Sequence, residues 1–196
     1  MPHPPANAPS HAEVRDRILS TACTLFYQQG VRAVGVDLIV DKAGVAKTSL
    51  YRYFPTKDDL IAAFLQREDE EFWATWNRVT AQHPTDALAE LDAHLHWIGE
   101  RTARPHYRGC PQINVAAEFP DADHPARKVA TAHKLEMQRR LKLIARRLHV
   151  SHPEELAGQL SLLINGAFVS AQIFPAGRAR RLLFHAAHTL IDAGKT

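Results

Sequence analysis

Seven side chains between positions 47 and 57 are donors suited to an anionic partner: Lys47, Thr48, Ser49, Tyr51, Arg52, Tyr53 and Lys57. An ammonium such as that of Lys47 can donate to guanine, and the hydroxyls of Thr48 and Ser49 can bond base edges or phosphate oxygens. Tyr51 and Tyr53 carry hydroxyls on rigid rings, a good match to phosphate oxygens. Arg52 shares their face. Lys57 falls in the first turn of the next helical segment, where free backbone N–H groups and the helix dipole already attract anions. Upstream, Arg17 could reach a flanking backbone. Singly, each of these is an ordinary solvated residue; the cluster is what points to duplex DNA.

The surrounding sequence explains how they are held. Ser10 and Glu13 form a capping box, and Val14, Ile18, Ala22, Leu25 and Phe26 recur at helical spacing. This predicts helix 1 from His11 to Gln29, ended by Gly30. Val36, Ile39, Val40 and Ala43 form the inward face of helix 2, Val36 to Ala43. Gly44 supplies a turn that needs positive φ, and Val45 plugs it. Helix 3, Lys47 to Tyr53, turns Leu50 and Phe54 inward and leaves the donors outside. Pro55 stops it, and Thr56 with Asp59 opens helix 4. Two short helices across a glycine turn, with an outward polar strip, are the layout of a helix-turn-helix, whose second helix enters the major groove.

The stretch GVAKTSLYRYFPTKDDL resembles the signature of the tetracycline-repressor (TetR) family of transcriptional regulators. Gly44, Val45, Leu50, Tyr51, Tyr53, Phe54, Lys57 and Leu60 carry the match, and Ile18, Leu19, Leu25, Phe26 and Gly30 match the family's first helix. Two positions depart from it. Gly35 and Ala46 stand where the family usually has hydroxyl caps. Further on, RGCPQINVAAEF resembles a subgroup with a GCP-x-x-N-x-A-x-E-F motif, through Gly109, Cys110, Pro111, Asn114, Ala116, Glu118 and Phe119.

Beyond Asp58 the pattern is helical throughout, so the expected class is all-α, with about nine helices. Helix 4 is expected from Lys57 to Ala81, with Arg67 to Glu71 as its solvated middle. Helix 5 ends near Ala103, a short helix spans Gln112 to Glu118, and helix 7 runs from Pro125 to Leu148. Helix 8 is expected from Pro153 to Phe174 and helix 9 from Gly177 to Ala193. The implied division is a disordered tail at 1–9, a DNA-binding unit at 10–56 and a helical effector-binding and dimerisation unit at 57–196.

Composition excludes little but is consistent. The chain has 196 residues, 45% of them hydrophobic, and a net charge of +3, as in an ordinary soluble protein. Up to Leu60 the cations and anions nearly cancel, so a DNA face must come from placement. No apolar run approaches the roughly 20 residues of a membrane helix, and the N-terminus lacks a secretory pattern; a cytoplasmic protein is expected. The two cysteines make no disulfide framework. Cys23 reads as core, whereas Cys110 sits near Arg104, His106 and Arg108, where a low-pKa thiol is one alternative to a structural role. The twelve histidines include His185 and His188, three apart, but no cysteine or carboxylate completes a zinc pattern. No metal and no cofactor is expected. Hydrolase, nucleotide-binding and zinc-protease motifs are missing, so no catalytic residues are assigned.

The resemblance implies a homodimer through the last two helices, gripping double-stranded operator DNA, with a small-molecule effector of unknown identity held in the body. Candidate lining residues are Trp73, His94, Trp97, Ile98, Gln112, Ile113, Asn114, His133, Met137, Phe168 and Gln172, which combine apolar surface with a few polar tips. The expected function is a repressor released by its effector. The alternatives are an all-α enzyme, or an interaction module, that keeps the helix-turn-helix without using it on DNA.

Overall fold

The computed structural model describes residues 10–195, so the expectation of a disordered tail at 1–9 lies outside the described residues. Among these residues there are nine helices and no strand. They are α1 (His11–Gln29), α2 (Val36–Ala43), α3 (Lys47–Tyr53), α4 (Lys57–Gln82), α5 (Ala87–Thr102), α6 (Pro111–Glu118), α7 (Pro125–Arg147), α8 (Pro153–Ser170) and α9 (Arg178–Gly194).

Local chemistry accounts for the first four. Ser10 accepts from the Glu13 amide while the Glu13 carboxylate accepts from that of Ser10, and Thr56 and Asp59 do the same for α4. Gly44 adopts φ 62° and ψ 45°, the left-handed region that closes α2 and turns the chain into α3. Neither Gly35 nor Ala46 supplies a side-chain cap. Both helices form regardless, because their apolar faces, including Ile39 and Leu50 at 0% exposure, are pinned in the core.

Two apolar clusters organise the chain. The first gathers Ile18, Phe26, Ile39, Leu50 and Phe54 with Leu60, Phe64 and Leu65 of α4, and with Val115, Ala126 and Ala130 of α6 and α7. The second holds Phe72 and Trp76 of α4 with the inner faces of α5, α7, α8 and α9. Thus α4 runs through both, its N-terminal half fixed to the helix-turn-helix and its C-terminal half to the body. No helix is long and apolar enough to cross a membrane among the described residues.

Three expectations need correction. Helix 8 ends at Ser170, not Phe174, because the backbone tightens into i→i−3 bonds from Gln172 to Val169 and from Ile173 to Ser170. Arg67 to Glu71 is not simply solvated. Arg67 bonds Asp16 and Ser20, Glu68 pairs with Arg101 at 3.0 Å, and Asp69 accepts from Trp73 and meets His133. Only Glu70 and Glu71 of the run are exposed, since one turn of α4 passes under α1, α5 and α7. Cys23 is half-buried at the edge of the first cluster rather than inside it, and burial pushes its thiol up to about 12.

Candidate nucleic-acid interface and effector site

Helix α3 is presented by the burial of its own opposite side. Leu50 and Phe54 are sunk in the first cluster, which holds Lys47, Thr48, Tyr51 and Arg52 outward and exposed. Tyr51 keeps 42% of its surface in solvent, unusually much for an aromatic residue. Ser49 is partly covered, and its hydroxyl accepts from Arg52 at 3.3 Å. The Lys47 ammonium donates to Asp37 on α2 at 2.7 Å; that hydrogen bond raises its pKa, keeping it charged and aimed along the turn. Lys57 is half-buried at the start of α4, where burial lowers its pKa. Arg17 stands on the exposed side of α1.

Tyr53 differs from the sequence reading. It is partly buried, its hydroxyl meets His11 Nδ1 at 2.9 Å, and Arg52 lies over its ring. It braces α3 against the start of α1, so His11 is a member of this surface that sequence reasoning missed. Arg15, whose guanidinium lies 5.2 Å from the Phe54 ring centroid, is another brace. No local pattern links positions 11 and 53, so only the folded chain reveals them.

In the body the eleven effector candidates divide. Around Phe72, ring centroids lie 5.0 Å away for Trp73, 4.8 Å for Trp97 and 4.8 Å for His133. His94 stacks on Trp76 at 3.9 Å. Ile98, Met137 and Phe168 are fully buried in the same cluster, with Ile113 packed against it. Asn114 and Gln172 belong elsewhere, to a cavity beside α1. Gln172 is exposed, as follows from the early end of α8, and Asn114 is half-buried with its amide donating to the Arg108 carbonyl at 2.7 Å.

Among the described residues, four side chains in the body keep a buried polar atom without a hydrogen-bond partner: His94 Nδ1, His133 Nε2, Gln112 Oε1 and His124 Nε2, the last 3.3 Å from the Asp58 carboxylate. Such atoms are rare in protein interiors and call for a reason. His94 otherwise meets Thr80 at 3.2 Å, beside Glu90, which Arg147 engages; Gln112 donates to the Leu65 carbonyl at 3.1 Å. Burial holds the His94 imidazole down at about 3. Burial, with Lys134 beside it and Asp69 opposing, holds His133 at about 4.

These two histidines make stability depend on pH in a definite direction. In the unfolded chain both take up protons below about pH 6.5, whereas in the folded chain they remain neutral. Their contribution is therefore complete above about pH 6.5 and is lost as pH falls toward the folded values. The expected result is a urea midpoint that drops between pH 7 and pH 5. The substitution His94→Gln should flatten the dependence by up to one proton, about 1.4 kcal/mol per pH unit. Identical slopes in the two proteins would contradict this assignment.

Cys110 is buried at the N-cap of α6, with the Lys134 ammonium 3.5 Å from its sulfur and 2.8 Å from Asn165. Arg104, His106 and Arg108, its neighbours in sequence, are exposed. His188 bonds Asp92 at 2.7 Å, and His185 is exposed. No group of three or more potential metal ligands occurs among the described residues.

Comparison with known proteins agrees with this geometry. Residues 18–64 match the model of bacterial regulatory proteins of the tetR family. The activator FasR of Mycolicibacterium smegmatis is 44% identical over 55 residues, 28% of this chain and 25% of its own. The repressor KstR2 of Rhodococcus jostii is 32% identical over 94 residues, 47% of this chain and 46% of its own. The chain thus spans between a quarter and a half of these curated relatives. Solved structures extend the likeness. SCO4454, a TetR-family transcriptional regulator from Streptomyces coelicolor, has a TM-score of 0.90 at 28% identity, covering 94% of this chain and 97% of its own. The TetR-type chain sav143 from Streptomyces avermitilis has a TM-score of 0.83 at 30% identity, covering 93% and 98%. With a relative this similar over nearly the full length of both chains, and the family's helix-turn-helix in place, the protein belongs to the TetR family of transcriptional regulators.

Proposed function

We propose that the protein is a ligand-responsive DNA-binding regulator, a homodimeric repressor that leaves its operator when a small molecule enters the body. The observation that carries this reading is the exposed donor face of α3, bearing Lys47, Thr48 and Tyr51, on a helix whose other side is locked in the core. Twofold pairing supplies a second such helix about 34–36 Å away, one turn of duplex. Support for the dimer comes from Leu162, Val169 and Ile173, exposed along and just beyond α8, with Leu182 on α9. Support for an effector comes from the unpartnered polar atoms of His94 and His133 beside the tryptophans and of Gln112 on α6. The working division is a DNA-binding unit at 10–56 and a regulatory unit at 57–196, acting in the cytoplasm. No residue is assigned a catalytic role.

Because α4 joins the two clusters, an occupant beside Phe72 and Trp76 can displace the end that carries the helix-turn-helix. Linkage then requires that the effector prefer the DNA-incompetent arrangement, and that operator DNA weaken effector binding by the same factor. The test is selection of duplexes from a random library, followed by mobility shift across a salt series. A palindromic duplex whose affinity falls steeply with salt is expected. Failure to enrich any sequence, or affinity indifferent to salt, would remove the reading.

A further inference from the structure

A small cavity lies away from the tryptophan cluster, where the helix-turn-helix region meets the body. Its volume is about 210 Å³, and its wall is made by Phe26 and Val31 on one side, Phe64 of α4 beneath, and Val115 and Glu118 of α6 opposite. At roughly 30 Å³ per water, this holds a molecule about seven waters in bulk. Junctions between units are favoured places for small-molecule sites.

Glu118 gives the cavity its chemistry. One carboxylate oxygen accepts from the Arg32 backbone amide at 3.1 Å. The other faces Gly30, 3.5 Å from where a Cβ would stand on that glycine. The carboxylate has no ion-pair partner among the described residues. Lys57 is near enough to feel its charge but forms no bridge to it. Arg108, also on the cavity wall, is exposed; its backbone donates to the Tyr27 hydroxyl at 3.0 Å and accepts from Asn114. Tyr27 in turn donates to the Gly109 carbonyl at 3.3 Å. The rim is thus held by hydrogen bonds, the wall includes Phe26, Phe64, Val31 and Val115, and one Glu118 oxygen lies beside Gly30 on that wall with no ion pair among the described residues.

We propose that this cavity binds a small organic amine, its ammonium on Glu118 and its apolar body against Phe26, Phe64 and Val115. Cations sit well beside carboxylates and over aromatic faces. An occupant touches α1 and α6 together, so it joins the element that carries the helix-turn-helix to the regulatory body. The site is separate from the effector position proposed among the tryptophans, though it takes in the candidates Asn114 and Gln172, and its test does not depend on DNA binding.

The experiment is calorimetric titration of the full-length protein with phenethylamine and tyramine, with phenylacetate as the anionic counterpart. Saturable binding of an amine, with phenylacetate at least tenfold weaker, is expected. Glu118→Gln keeps the acceptor for Arg32 and removes the charge; it should weaken amine binding at least tenfold. Val115→Phe fills the cavity without touching the carboxylate and should do the same, with circular dichroism reporting that each variant is folded. Should Val115→Phe fail to fold, the Glu118→Gln result decides. Absence of binding by both amines, equal binding of phenylacetate, or amine affinity unchanged by Glu118→Gln overturns the proposal.

Discussion

Removing two hydroxyls from α3, by Thr48→Ala with Tyr51→Phe, is expected to lower affinity for the selected duplex about 1,000-fold while leaving the fold intact. Each hydroxyl contact to a base or phosphate contributes on the order of 1 kcal/mol, and twofold symmetry doubles the two, giving about 4 kcal/mol. Both side chains are exposed, and the residues that anchor the helix, Leu50 and Phe54, are untouched. The unfolding free energy from urea titration should therefore stay within about 0.5 kcal/mol of the parent, as for ordinary surface changes. Neither substitution removes a charge, so the salt dependence of the residual binding should be unchanged. Lys57→Ala is the counterpart: it should weaken all duplexes alike and flatten the salt slope by about one unit per protomer. Mobility shift at several salt concentrations separates the two effects. A double hydroxyl variant that binds as tightly as the parent would show that this face does not meet DNA.

The second large effect is expected from Leu162→Glu combined with Ile173→Glu. These side chains are 73% and 77% exposed in the single chain, far more than large apolar residues on a helical protein's surface need to be. Leu162 and Val169 lie seven positions apart, two turns of α8 on one side, and Ile173 stands in the turn just beyond the helix end. Placing two carboxylates there should leave each protomer folded, because Leu160, Ile164 and Phe168 hold the opposite side of α8 in the second cluster. It should abolish self-association in sedimentation velocity. Operator affinity should fall by about 10²- to 10⁴-fold, the usual gain from linking two half-site contacts. A variant that stays dimeric would move the interface elsewhere, for instance to the outer face of α7, where Leu135 and Leu143 are also exposed.

Much of the amino-terminal unit was legible because its signals are local. Capping boxes at Ser10 and Thr56, the glycine at 44 and the proline at 55 act within one turn of helix, and the helices fall where those signals place them. The donor face of α3 was legible for the same reason: its apolar positions, Leu50 and Phe54, are four apart, so the rest must face out. Tyr53 broke the rule. It lies at the edge of the buried arc, where a partner 42 positions away, His11, decides its environment.

The body was less legible, since its contacts are made between helices far apart in sequence. A run of charges such as Arg67 to Glu71 looks solvated until α1, α5 and α7 bring Asp16, Arg101 and His133 against it. The end of α8 has no local stop before Pro175, so its tightening after Ser170 could not be read. The effector candidates combine apolar and aromatic residues of helical faces with a few polar tips. That combination cannot separate a packed cluster around Phe72 from a cavity at a junction, and Asn114 and Gln172 fell into the second. Glu118 was legible only as part of a motif. Its place opposite Gly30 and Arg32 is a tertiary fact.

The most direct test of the central claim is a hydroxyl-radical footprint of the full-length protein on its selected duplex. Two protected patches on one face, centred about one helical turn apart and lost together in the Thr48→Ala, Tyr51→Phe variant, are what paired α3 helices produce. One patch alone, or protection that survives that variant, would contradict the account.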